Sequence, residues 1–246
     1  MTLLAVERIK LFSTRSPWWC MAIALALTVG FSTLVTVQSR DFLPTFDIAN
    51  TQAGGQFGLM VMMVMAALAV TTEYRFSTIR TTFQAVPNRT AALLAKTVVV
   101  SLLAGVIGVV AAFASWGLAF VLRTDADLTL DTADEWRMVA GAGLVYLLAA
   151  VLAVAVGVLV RQSAGAITLL LLYSLLVESL VLLIPDFGDD IHQWMPFVNA
   201  QHFLTAGSAT TNQGMPFGAW GSLAYFAAIT VGLLVVALVV ANRRDA

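Results

Sequence analysis

Charge is what this chain lacks most. Only 11% of its 246 residues are Asp, Glu, Lys or Arg, against about 25% in an ordinary soluble domain. So few charges cannot cover the surface of a soluble protein of this size, which excludes that class. The net charge of −1 gives no bulk attraction to nucleic acid. Lysine is nearly missing: Lys10 and Lys96 are the only two, and neither follows a glycine. There is thus no Gly-x-x-x-x-Gly-Lys loop to cradle phosphates, and the chain itself has no means of hydrolysing ATP. The single cysteine, Cys20, excludes an intrachain disulfide and reads as a small apolar residue of a membrane helix. Both histidines, His192 and His202, fall between 185 and 217, so no Ser-His-Asp or Cys-His arrangement is credible. With Asp189 and Asp190 they match no metal-ligand spacing, and no metal or cofactor is expected in this chain.

What is abundant is apolar: 60% of the residues are hydrophobic. They gather in six runs, at about 18–37, 56–72, 97–122, 138–160, 166–184 and 218–241. Most reach the ~20 residues a helix needs to cross ~30 Å of hydrocarbon. The second is short and is expected to extend into its flanks. Lipid offers no partner to open backbone groups, so helices are expected, and the absence of alternation argues against a β-barrel. The fold class is all-α: one transmembrane domain over 1–246 with six transmembrane helices.

The charges then sort themselves. Arg8, Lys10, Arg15, Arg75, Arg80, Arg89, Lys96, Arg161, Arg243 and Arg244 fall on one side, and only Arg40, Arg123 and Arg137 on the other. By the positive-inside rule the first side is cytoplasmic, with both termini. Ten of the fourteen acids lie outside. The basic start and first run do not read as a cleaved signal peptide, since the run is long and no small-x-small site follows. Eleven arginines against two lysines, with abundant Ala and Val, point to a bacterium of high GC content, hence the bacterial inner membrane. Residues 1–17 are mildly amphipathic, with Leu4, Leu11 and Phe12 sharing a face with Ala5 and Arg8 while Glu7 and Lys10 point elsewhere; an interfacial helix is expected. Trp18 and Trp19 stand where an aromatic belt belongs.

Span three carries a stripe of small residues, Ser101, Ala104, Gly105, Gly108, Ala111, Ala112 and Ser115, and span four has Ala149, Ala153 and Gly157. Such stripes let helices approach closely in lipid, here chiefly within one bundle. Between spans two and three, the segment 71–96 places Phe76, Ile79, Phe83 and Val86 on one helical face, stopped at Pro87. Asn88 or Thr90 can cap the helix that follows. A cytoplasmic partner or the underside of the bundle could each cover that face.

At these residues the chain resembles the permease subunit of a type-2 ATP-binding-cassette exporter. The likeness runs along the whole chain, from Glu7, Lys10, Leu11, Arg15, Ser16, Pro17 and Trp18 to Glu73-Tyr74-Arg75-x-x-Thr78-Ile79-Arg80, then Pro87, Arg89 and Lys96. Glycine is common in that family where this chain has Ser77, a minor departure for a helix, since serine is the better helix former. The resemblance implies that 71–96 is a cytoplasmic coupling helix and that Glu73, Tyr74, Arg75, Thr78, Ile79 and Arg80 dock a separate ATPase. It implies two copies of that ATPase, carrying the ATP and Mg, and a second permease, the same or different. The work implied is export of a hydrophobic or amphipathic substrate: drug, peptide or lipid.

Glu178 sits inside the fifth run, seven residues before Pro185 and six before the run ends at 184, about 9 Å below the outer end of that span. A buried charge in lipid must face the bundle or water, so Glu178 marks either the translocation path or an interface, or is hydrogen-bonded to a neighbouring helix. Residues 185–217 are too apolar for a free loop, and Pro185, Pro196 and Pro216 divide them; short re-entrant helices are expected, as in the family. The acidic stretch from Arg123 to Arg137 reads as a solvated connector. Competing readings are an ion-coupled secondary transporter, which usually shows inverted repeats, and a non-transporting membrane scaffold.

Overall fold

The computed structural model describes residues 3–39, 46–79, 88–185, 187–207 and 215–243. Among them every regular element is helical, and six helical segments are long and apolar enough to cross a membrane: Ser16–Gln38, Ala49–Arg75, Arg89–Leu122, Ala133–Val160, Ser163–Val181 and Ala219–Arg243. Helix α1 (Leu3–Phe12) precedes them. Span one is α2 (Ser16–Gln38); span two is a 3-10 turn (Ala49–Gln52) followed by α3 (Gly55–Arg75); span three is α4 (Arg89–Leu122). Span four is α5 (Ala133–Ala140) running into α6 (Ala142–Val160) at Gly141. Span five is α7 (Ser163–Leu172), a π turn (Tyr173–Val177) and α8 (Glu178–Val181). Two short helices, α9 (Gly188–His192) and α10 (Pro196–Thr205), lead to span six, α11 (Ala219–Arg243). The short second run does extend into both flanks, as expected.

Side-chain bonds define two ends. At one, which we call the basic end, the Asn242 amide bonds Thr90 Oγ1 at 2.9 Å and Ser163 Oγ bonds Thr71 Oγ1 at 2.9 Å. At the other, the acidic end, Gln52 reaches the Ala112 carbonyl and Tyr225 the Trp194 carbonyl.

Span four is the centre. Of its most apolar stretch 72% is buried, against 28, 22 and 17% for spans one, five and six. It packs on α3, α4 and α11, and its sequence is largely Ala, Gly and Val, which gives neighbours a smooth surface to approach. The small stripe of span three is buried throughout, facing span four: a Cβ on Gly105 would stand 3.2 Å from the Gly143 carbonyl oxygen. Ala149, Ala153 and Gly157 are buried too. Between these spans lies Tyr146, 3% exposed, whose hydroxyl donates to the Gly55 carbonyl at 2.6 Å.

The segment 123–137 is more than a solvated connector. Leu128 is 1% exposed and packs in a second small core with Phe46, Ile48 and Met138, and its carbonyl accepts from Trp116 Nε1 at 2.9 Å. Thr132 and Glu135 form a capping box that starts α5. The acids stay outward; the apolar residues between them pull the segment down.

A methyl group at Gly108 would lie 2.7 Å from Cγ of Tyr146, and the tyrosine is fixed by its hydroxyl. Gly108→Ala is therefore expected to cost about 1–3 kcal/mol, read as a lower unfolding midpoint in detergent. An unchanged midpoint would show slack between spans three and four.

Candidate functional site

Four charges meet at the basic end. Glu7 and Lys10 stand one turn apart on α1, Glu73 is in the last turn of α3, and Lys96 lies two turns into α4. Lys96 Nζ donates to Glu7 Oε2 at 2.6 Å and to Glu73 Oε1 at 2.9 Å. Lys10 Nζ donates to Glu7 Oε1 at 3.0 Å and to Glu73 Oε1 at 3.5 Å. The side chains of Glu7, Lys96 and Glu73 are 6, 8 and 14% exposed, that of Lys10 38%. Two acids against two ammonium groups leave no net charge, which is the condition for burying ions at all. Burial pushes the Glu7 carboxyl up, but the Lys96 charge, with hydrogen bonds from Lys96 and Lys10, outweighs it and holds the group below its ordinary 4.5. Burial likewise opposes the Lys10 charge, and the two carboxylates outweigh it, raising the group above its ordinary 10.5.

This cluster reverses the expected placing of α1. Leu4 and Arg8 face outward, with Leu4 47% exposed, while Glu7 is 5% exposed. Leu11 and Phe12 pack on the core and so part from Leu4 and Arg8, with which one face is expected. An amphipathicity argument assigns charge to water; here two lysines from two helices make the inward glutamate the cheaper choice.

The six residues that the resemblance assigns to docking are not one surface. Glu73 is in the cluster. Tyr74 is half-buried beneath the Arg161 guanidinium, 5.0 Å from its ring. Arg75 and Phe76 are exposed, the guanidinium 5.6 Å from the Phe76 ring, which is 68% exposed. Thr78 is exposed and its hydroxyl reaches the Glu73 carbonyl at 3.5 Å. Ile79 is 3% exposed and belongs to the main core. Arg80 lies outside the described residues, as do Phe83, Val86 and Pro87. The expected helical face is broken between Phe76 and Ile79, because α3 ends at Arg75 and Ser77 adopts φ 58°. Ser77 is thus a helix terminator in the left-handed region, where glycine is easier by about 1–2 kcal/mol. The glycine common in the resembling family suits this turn better than serine does, the opposite of an argument from helix propensity. Asn88, by contrast, caps α4 as expected, its side chain accepting from Ala91 N at 3.1 Å.

At the acidic end Glu178 is 5% exposed. Its Oε1 accepts the Phe197 backbone N–H at 3.0 Å, an otherwise unsatisfied donor in the first turn of α10. The π turn just before it, Tyr173–Val177, shifts the helix register, and Glu178 follows directly. The opposite end of α10 is held by Arg137, which is 6% exposed and donates to the carbonyls of Phe203 and Ala206 and to Asp134 at 3.0 Å. A carboxylate thus caps the positive end of α10 and a guanidinium its negative end. Arg123 does the same for α2, bonding the Thr36 carbonyl at 3.4 Å and Ser39 Oγ at 3.1 Å, with the Phe46 ring 4.5 Å away. Sequence reasoning missed both arginines. Their standing alone on the acidic side was the available signal. His202 Nδ1 pairs with Ser222 Oγ at 3.0 Å.

Comparison with protein-family models and with curated proteins finds no match to the chain.

Lys96→Met would leave Glu7 and Glu73 buried without their strongest partner, and is expected to cost about 3–5 kcal/mol in a detergent unfolding titration. A depressed carboxyl stabilises above its ordinary value and the effect fades as pH falls through its folded one; a raised amine stabilises below its ordinary value and the effect fades as pH rises through its folded one. The contribution of this pairing should therefore be level from about 4.5 to 10.5, and a Glu7 carboxyl carbon shift that moves at neutral pH would contradict it. At the other end, Glu178→Ala strands the Phe197 N–H, worth about 1–3 kcal/mol. Amide exchange should quicken in α10 alone; equal quickening across span five would show a general loosening instead.

Proposed function

We propose that this chain is the membrane-spanning subunit of an ATP-driven exporter for hydrophobic or amphipathic molecules, set in a bacterial inner membrane with its basic end in the cytoplasm. A separate ATPase, carrying ATP and Mg, supplies the energy, and a second permease subunit completes the translocator. The six apolar spans support the membrane setting. The observation that carries the reading is the ion cluster at the foot of spans two and three.

Arg75 and Phe76 project from the basic end, and Glu73 lies two and three residues behind them. A push on that projection moves Glu73, and Glu73 shares Lys96 with Glu7. Three elements, α1, α3 and α4, are therefore displaced together. Coulombic contacts at 2.6 and 2.9 Å in a site sheltered from water transmit force in a way that exposed pairs do not. A scaffold needs no such joint between a surface projection and two spans. An ion-coupled carrier would place its titratable groups along a path; the intraspan acid, Glu178, is occupied in capping α10.

Co-expression with ATP-binding-cassette ATPases of the source genome should yield, for one of them, a stable complex that survives purification. Arg75→Glu together with Arg80→Glu should abolish that complex while leaving the permease folded and in the membrane. Transport by the purified chain in liposomes under an ion gradient, with no ATPase present, would defeat this reading.

A further inference from the structure

A cavity of about 510 Å3 opens at the basic end among α1, α3, α4 and the start of α2. One end of it is the ion cluster; the body is apolar, formed by Leu11, Met65, Leu68, Ala69, Val99 and Val100. From Glu73 to Met65 is eight residues of helix, about 12 Å, so the space changes from charged to hydrocarbon-like over the depth at which a bilayer does. Its volume is that of a small-molecule site.

The sign of its charged end is readable. Both carboxylates of the cluster are turned inward, with 6 and 14% of their side chains exposed, whereas Lys10 shows 38%. The most accessible charge of the neutral cluster is therefore the Lys10 ammonium, above an apolar slot. Its level is marked by Trp18 and Trp19, 56 and 67% exposed, the side chains that settle at a membrane interface. Lys10 to Glu73 is the longest contact in the cluster, at 3.5 Å, and an anion at the mouth competes for that one first.

We propose that this cavity binds one anionic phospholipid of the adjoining leaflet, with its phosphate beside Lys10 and an acyl chain lying along Leu68 and Val99 toward Met65. A zwitterionic lipid has the same chain but brings its own ammonium, which cancels the attraction. Lipid binding here requires no ATPase, so a failed co-purification leaves the site intact.

The test uses the full chain, purified in mild detergent and offered equal amounts of phosphatidylglycerol and phosphatidylcholine with identical chains. Native mass spectrometry then counts the bound lipid. One phosphatidylglycerol per chain should be retained, about fivefold over phosphatidylcholine, the factor for one basic group at an anionic lipid. Lys10→Gln should bring the ratio to about one, and Ala69→Phe, which fills the slot, should remove both lipids. Glycerol phosphate without acyl chains should not compete. Equal retention of the two lipids by the native chain, full retention by Ala69→Phe, or displacement by glycerol phosphate would each overturn the proposal. If Ala69→Phe does not fold, the Lys10→Gln ratio decides: an unchanged fivefold preference overturns it.

Discussion

The structure turns on a constraint of number. Two carboxylates and two ammonium groups meet at the basic end, Glu7, Glu73 and Lys96 sheltered and Lys10 part-exposed, and their equality makes the burial tolerable. Removing ions from water costs several kcal/mol each, so the cluster adds little net stability over an apolar replacement. What it adds is position. Each of Glu7, Glu73 and Lys96 comes from a different helix, and each finds its partners in one arrangement of the three. An apolar contact between α1 and the spans would tolerate sliding by a residue; a 2.6 Å bond between Lys96 and Glu7 does not. The foot of the bundle is fixed in register by charge, while the rest of it is held by close packing of Ala, Gly and Val against span four.

The acidic end follows the same economy with different partners. An apolar bundle has few side chains with which to satisfy helix termini, and each unsatisfied backbone group is costly away from water. Arg123 answers the last carbonyls of α2, Arg137 those of α10, and Glu178 the first turn of α10. Nearly every buried charge in the described residues is thus either in the four-member cluster or on a helix end. That accounts for two of the cations that stand against the positive-inside pattern: Arg123 and Arg137 are anchored in protein, and so say little about which side of the membrane they occupy.

The spans were legible because their signal is collective: twenty apolar residues in a row outweigh any local preference. The small stripe of span three was legible for the same reason, being repeated over four turns. Single-residue geometry was not. Glu7 reads as a surface charge until Lys96, 89 positions away, is placed beside it, and no periodicity within α1 contains that fact. Ser77 reads as a helical residue because propensity describes the interior of a helix, whereas its φ of 58° belongs to a helix end. Glu178 was legible as an in-span acid that must face the bundle or water, yet its partner is a backbone N–H in another element, which has no sequence signature. The likeness of 71–96 to a coupling segment drew Tyr74 and Ile79 into one contact surface with Arg75; burial separates them.

These two ends place α10 under a particular mechanical condition. Its first turn hangs from span five by the bond to Glu178, and its last from span four by Arg137. Span four is the most buried of the six and span five among the least, 72 against 22%, so span four is the fixed side and span five the freer one. A displacement between them must be taken up at one terminus of α10. Arg137 holds with bonds to two carbonyls and to Asp134 and stacks against Phe203; the other end holds with the Phe197 N–H on Glu178 at 3.0 Å, the Tyr173 hydroxyl on Met195 Sδ and the Tyr173 ring against Phe197. The buried acid of span five is therefore a tie between that span and α10, satisfied by a backbone N–H rather than by a partner side chain.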